Sequence, residues 1–137
     1  MALEVATPVV LSDLQVRAHA GFPSPAEDVG AKRIDLTSQL VRHPQATFTM
    51  RAQGDSMREA GILDGDVLLV DKAVPPRSGH IVVATVDGEF VCKTLQLRAG
   101  RIKLKSANPC YPDIVPKDGQ AVEVWGVVTV SITQFRV

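Results

Sequence analysis

No excess of positive charge marks this chain. Lysine plus arginine equal aspartate plus glutamate, 15 each, so the formal net charge is zero. That argues against a large basic footprint for nucleic acid and leaves room for a local patch, and strong direct DNA binding is not expected. Cysteine is scarce as well. Cys92 and Cys110 are the only two. Their spacing makes neither a metal-ligand set nor a disulfide framework. A reducing, cytoplasmic compartment is the default for such usage. Long hydrophobic runs are missing. Nothing approaches the roughly 20 apolar residues of a membrane helix. The short apolar run from Val5 to Leu11 is interrupted by Pro8 and lacks a basic lead-in, so no signal peptide is read there. His19, His43 and His80 have no spacing that suggests a shared metal or a triad, and each reads as a solvated loop residue. No metal and no cofactor is expected. There is no repeat and no low-complexity tract.

What is present divides near residue 45. Before it, punctuation is heavy: Gly21-Phe22-Pro23-Ser24-Pro25, then Gly30, then Pro44. Pro23 and Pro25 cannot sit inside a helix or a central strand. Residues 1–20 read as a poorly anchored arm, and residues 21–45 as a linker. A short helix is expected within Ile34–His43. Residues 46–137 read as a β-rich domain. Strands are expected at Thr47–Ala52, Val67–Val70, Ile81–Val86, Glu89–Leu97, Arg101–Lys105 and Val122–Ile132. The Asp87-Gly88 pair is a strong hairpin signal. Gly126 marks a bulge or bend in the last strand. The fold class is mostly β: a compact barrel or folded sheet behind an N-terminal arm.

One residue breaks the alternation. Val91, Lys93, Leu95 and Leu97 share a face of the strand Glu89–Leu97, and three of the four are apolar. An ammonium on an apolar face loses hydration, which lowers a lysine's pKa. A free amine near pH 7 is a general base in need of a nucleophile. The plain alternative is a stem that snorkels to water. The candidate nucleophile is Ser56, in Gly54-Asp55-Ser56-Met57. Gly54 permits a sharp turn, and Ser56-Met57-Arg58-Glu59 has the form of a capping box. A serine there lies beside free backbone N–H groups, here those of Asp55 and Ser56, that can hold an oxyanion. A third feature completes the set. Ala20-Gly21 is a small-residue bond in an accessible, proline-flanked arm, and so a candidate scissile bond. The dense aspartates Asp55, Asp64, Asp66 and Asp71 are read as turn chemistry. Cys92, on the face opposite Lys93, is a small buried hydrophobe. Trp125 is core.

These segments, in order, resemble a known family. Gly21-Phe22-Pro23-Ser24-Pro25, Gly54-Asp55-Ser56-Met57, Gly61-Ile62-Leu63-Asp64-Gly65-Asp66, Val86-Asp87-Gly88-Glu89-Phe90 and Lys93-Thr94-Leu95-Gln96-Leu97-Arg98 are similar to the UmuD-like members of the LexA/UmuD self-cleaving peptidases. The resemblance runs from about Gly21 to the C-terminus. It implies a small, mostly β catalytic domain with a Ser56/Lys93 dyad in a shallow cleft. It implies attack by Ser56 on the carbonyl of Ala20, stimulated by a RecA filament on single-stranded DNA in the SOS response. It also implies a trimmed homodimer that joins a UmuC-like Y-family subunit in translesion synthesis. Ala20 stands where certain UmuD proteins carry cysteine, while Ala-Gly is the usual bond in LexA-type relatives.

Three other readings compete. A LexA-like repressor fragment shares the dyad, but no recognition helix is visible before Pro44. A signal peptidase shares the dyad but needs a membrane anchor. A non-enzymatic β interaction module would leave Ser56 and Lys93 structural, and so apart in space.

Overall fold

The computed structural model describes residues 2–3, 7–8, 33 and 35–137. Among these residues, one short α-helix, two 3-10 turns and eight strands make up the regular structure. The helix and strands are β1 (Ala2–Leu3), β2 (Thr7–Pro8), α1 (Leu36–Leu40), β3 (Thr47–Gln53), β4 (Val67–Asp71), β5 (Ile81–Val86), β6 (Glu89–Arg98), β7 (Arg101–Lys105) and β8 (Val122–Ile132). Helix α1 is shorter than the stretch expected over Ile34–His43. The side chain of Asp35 caps it by accepting from the Ser38 N–H at 3.3 Å. Val41 then turns extended and is buried.

The strands form one antiparallel sheet in the order β1-β3-β4-β8-β5-β6-β7, with β2 beside β3. Its framework follows from sequence. The β5–β6 hairpin closes on Asp87 and Gly88, both at positive φ, as a tight two-residue turn of this hand requires. β4 is nearly all apolar because both its faces are covered: Leu68, Leu69 and Val70 are fully buried. β8 is long enough to serve two partners. Residues 122–127 pair with β5, and residues 127–132 pair with β4. Each pairing contains a register shift. One lies beside Gly126, where an added Cβ would sit 2.7 Å from Val70 Cγ1. The bend expected at Gly126 therefore has a steric reason: β8 and β4 approach too closely there for any side chain.

The sheet curls until its ends are bridged. Ala2 pairs with Gln53 of β3 and with Val91 of β6, and Leu3 pairs with Ala52. Thr7 and Pro8 pair with Thr49 and Phe48. These four residues are the described part of the arm expected over residues 1–20. They occupy strand edges that otherwise offer unpaired backbone groups. Ala20 and Gly21 lie outside the described residues, as do most of the arm and linker.

Two apolar clusters fill the curl. One joins Met50, Met57, Ile62, Leu68, Val70, Val83 and Cys92, flanked by Phe90 and Trp125. The other joins Val82, Ala84, Leu95, Leu104 and Val127. Trp125 meets Phe48 and Phe90 edge-on, and Lys72 Nζ lies 4.5 Å from its ring centroid. It is thus half-buried under a lysine, not enclosed. Leu97, expected on the same apolar face as Lys93, is 41% exposed because β6 runs past the covered part of the sheet.

Candidate active site

The site begins where β3 ends. Gly54 adopts a φ of 91°, in the left-handed region that glycine reaches without steric cost. The chain leaves the sheet there and is held by the turn that follows. The Gly54 N–H donates to Asp64 Oδ1 at 2.7 Å, and the Gly65 N–H donates to the Ala52 carbonyl at 2.8 Å. Asp66 is buried; it accepts from the Leu63 N–H and from the Thr133 hydroxyl. Turn chemistry thus accounts for Asp64 and Asp66, as the sequence suggested. Met57 and Ile62 then sink into the first apolar cluster. Burying each is worth about 1.5–3 kcal/mol. Ser56, beside Met57, is carried inward with it and is 1% exposed.

The expected capping box does not form. The segment makes one 3-10 turn over Arg58–Ala60, with Met57 at its N-cap and no side-chain cap. The Glu59 N–H donates to the Ala107 carbonyl instead, and the Ser56 hydroxyl has a different partner. Packing of Met57 into the core competes with the cap and prevails.

That partner is Lys93. Its Nζ lies 2.8 Å from Ser56 Oγ, in a hydrogen bond between two buried side chains. Lys93 is 5% exposed, so its stem does not snorkel to solvent. Pairing with β5 fixes it: Lys93 faces Val82, and Cys92 faces Val83. Among the described residues no carboxylate bridges to Lys93, and Ser56 Oγ is the hydrogen-bond partner of its Nζ. Cys92, pointing to the other face, is fully buried, and burial pushes its thiol up to about 11. It behaves as the small hydrophobe expected there.

The backbone around Ser56 supplies donors. Among the described residues, the N–H groups of Asp55 and Ser56 donate to no partner. A second segment, 106–108, packs on this turn and was not singled out from sequence. The Ala107 N–H donates to the Ser56 carbonyl at 2.8 Å, and Asn108 Nδ2 donates to the Asp55 carbonyl at 2.9 Å. The Asn108-Pro109 loop signal was its only trace in the sequence.

His43 is the exposed loop residue that the sequence suggests, its side chain 48% exposed, but it has a partner that the sequence did not reveal: its Nδ1 lies 2.7 Å from Oδ2 of the buried Asp71. Asp71 also accepts from the Ala73 N–H at 2.8 Å. The sheet brings residue 43 to residue 71 through the pairing of β3 with β4, a contact that spacing alone does not reveal. Among the described residues no group of His, Cys, Asp and Glu could hold a metal ion. No helix there is long and apolar enough to cross a membrane.

A buried serine hydrogen-bonded to a buried lysine, beside amides that donate to none of the described residues, is an arrangement suited to acyl transfer. Comparison with known proteins agrees. Residues 8–129 match the Peptidase S24-like family, and the chain belongs to that family. It is 48% identical to Protein SamA of Salmonella typhimurium (strain LT2) over 120 residues, covering 88% of this chain and 83% of SamA. It is 43% identical to Protein MucA of Escherichia coli over 122 residues, covering 88% of this chain and 83% of MucA. The LexA repressor of Xylella fastidiosa is 37% identical over 111 residues, which is 81% of this chain but 52% of that repressor. Within the family, the chain is of the UmuD-like, SOS-mutagenesis type that its motifs resemble.

Proposed function

We propose that this chain is a single-turnover serine peptidase acting on its own Ala20–Gly21 bond. The trimmed product then serves as the accessory subunit of an error-prone translesion polymerase. What carries this reading is the 2.8 Å contact between Lys93 Nζ and Ser56 Oγ, with both side chains buried. In its free-amine form Lys93 takes the hydroxyl proton as Ser56 Oγ bonds to the Ala20 carbonyl carbon. The carbonyl electron pair moves to oxygen, and the N–H groups of Asp55 and Ser56 receive that oxyanion. Collapse breaks the bond to the Gly21 nitrogen, and Lys93 returns the proton to the leaving amine. Water then hydrolyses the ester on Ser56. The slot that accepts β1 supports an extended approach for the scissile segment. A strand laid against Gln53 and Val91 lies on the backbone that leads directly to Ser56.

The family resemblance supplies the context. A RecA filament on single-stranded DNA stimulates the cut in the cytoplasm during the SOS response, and a homodimer of the product binds a UmuC-like Y-family subunit. β8 is the proposed dimer strand. Neither β4 nor β5 extends along all of it, and a groove of about 400 Å³ lined by Leu40, Val74, Val127 and Val130 lies alongside.

The test is an intact-mass measurement of the purified chain, before and after incubation with RecA, single-stranded DNA and nucleotide. The expected product is residues 21–137, or 137 − 20 = 117 residues. Ser56→Ala and Lys93→Ala each abolish it while leaving the fold intact. A product beginning elsewhere, or wild-type cleavage in either variant, overturns the proposal. Sedimentation as a monomer at micromolar concentration overturns the dimer.

A further inference from the structure

The turn that carries Ser56 is gripped from outside the sheet, and one grip bears on a specific peptide plane. Asn108 Nδ2 donates to the Asp55 carbonyl at 2.9 Å. The other end of the same amide is also engaged, since Asn108 Oδ1 accepts from the Cys110 N–H at 3.0 Å. That second bond fixes which end of the amide faces Asp55. The loop behind it is braced in turn. The Ser106 N–H donates to Asp113 Oδ1 at 2.9 Å, and the Ser106 hydroxyl donates to the Pro112 carbonyl at 3.1 Å. Asn108 is therefore a rigid donor reaching across 53 residues of chain.

The Asp55 carbonyl and the Ser56 N–H belong to one peptide unit. In a planar trans peptide they point in opposite directions. Pinning the carbonyl oxygen therefore aims the N–H. The Arg58 N–H also reaches that oxygen, at 3.1 Å, but it comes from the same turn. Asn108 is the anchor from a separate part of the fold. The N–H it aims has no partner among the described residues and sits beside the Ser56 hydroxyl.

We infer that Asn108 is a positioning residue for self-cleavage: its side-chain amide fixes the Asp55–Ser56 peptide plane and so presents the Ser56 N–H to the developing oxyanion. The inference rests on the reading of Ser56 as nucleophile. It assigns Asn108 no proton transfer and no contact with the scissile bond. Lys93 remains the base, untouched by the change. The two roles separate in a pH profile. A lost donor lowers the rate by the same factor at every pH, whereas a disturbed base moves the midpoint.

The experiment measures unassisted cleavage of the full chain across alkaline pH by intact mass. Wild type, Asn108→Ala, Asn108→Asp and Ser56→Ala are compared, with thermal unfolding of each. Asn108→Asp keeps the shape and the acceptor for the Cys110 N–H but has no hydrogen to give to the Asp55 carbonyl. Both Asn108 variants are expected to cleave about 10- to 100-fold more slowly, a misplaced-donor effect, with the midpoint unmoved in the uncharged Asn108→Ala. If Asn108→Ala fails to fold, Asn108→Asp carries the test. A wild-type rate in Asn108→Asp, or a shifted midpoint in the uncharged Asn108→Ala, overturns the inference while leaving Ser56 in its role. Cleavage by Ser56→Ala overturns the underlying reading instead.

Discussion

The contact between Ser56 and Lys93 implies a defined pattern of stabilities. Each side chain is buried, and each is the other's hydrogen-bond partner among the described residues. Ser56→Ala leaves a buried amine with nothing to bond. Lys93→Met fills the same space with an apolar chain but strands the Ser56 hydroxyl. An unsatisfied buried polar group costs about 1–3 kcal/mol. Each single variant is therefore expected to lose about that much. The double variant, Ser56→Ala with Lys93→Met, removes both polar groups together, and a matched apolar replacement of that kind is close to neutral or stabilising. Its stability should match or exceed the wild type, so the coupling between the two sites is about 2–6 kcal/mol in size. In a domain of this length, each kcal/mol moves the melting temperature by roughly 3–5 °C. Urea denaturation of the four proteins, with intact mass to establish that none has been cut, reads the cycle directly. Additive losses, with the double variant weaker than either single, would show that the two groups are not paired in the folded protein.

Other outcomes follow from single features. Gly126→Ala places a methyl 2.7 Å from Val70 Cγ1, and overpacking of this kind costs about 1–3 kcal/mol in urea denaturation; an unchanged midpoint would mean that β4 and β8 separate freely. Burial pushes the Cys92 thiol up to about 11, whereas Cys110 is exposed. Iodoacetamide near neutral pH should therefore modify Cys110 first, as peptide mass mapping would record, and equal labelling of Cys92 in the native protein would contradict its burial. The Ser106 N–H, with help from Lys103, holds the Asp113 carboxyl below the usual carboxylate range. Its stabilising contribution is thus complete above the ordinary carboxylate pKa and fades as pH falls through the depressed value. The stability gap between wild type and Asp113→Asn should close on acidification, and a gap that widened would refute the assignment. Asp113 is only partly buried, its side chain 30% exposed, so the gap is small.

Much of the framework was legible because local rules and tertiary packing agree. Ile81–Val86, Arg101–Lys105 and Val122–Ile132 have the boundaries read from alternation and turn signals, and β6 extends one residue further than expected. Lys93 stood out because it breaks an apolar alternation, a signal contained in a few neighbouring positions. The contacts that escaped are those between distant segments. The His43–Asp71 bond depends on the register of β3 with β4. The hold of Ala107 and Asn108 on the turn at Ser56 depends on a loop that carries only turn signals of its own. The capping box failed for a different reason. Ser-x-x-Glu describes a local preference, and burial of Met57 outweighs it.

The path of the sheet has a consequence for when the chain can act. Ser56 follows β3 and Lys93 lies on β6, and β4, β8 and β5 lie between those strands in the sheet. The two side chains reach 2.8 Å as four successive pairings curl the sheet back on itself and β1 bridges β3 to β6. A nascent chain has β3 and β4 well before it has β8, the last of the described strands in chain order and the one that joins β4 to β5. Until β8 is in place, nothing in that sequence of pairings ties the nucleophile to its base. On the proposed chemistry, competence to cut thus follows the closing of the sheet and not the synthesis of either side chain alone.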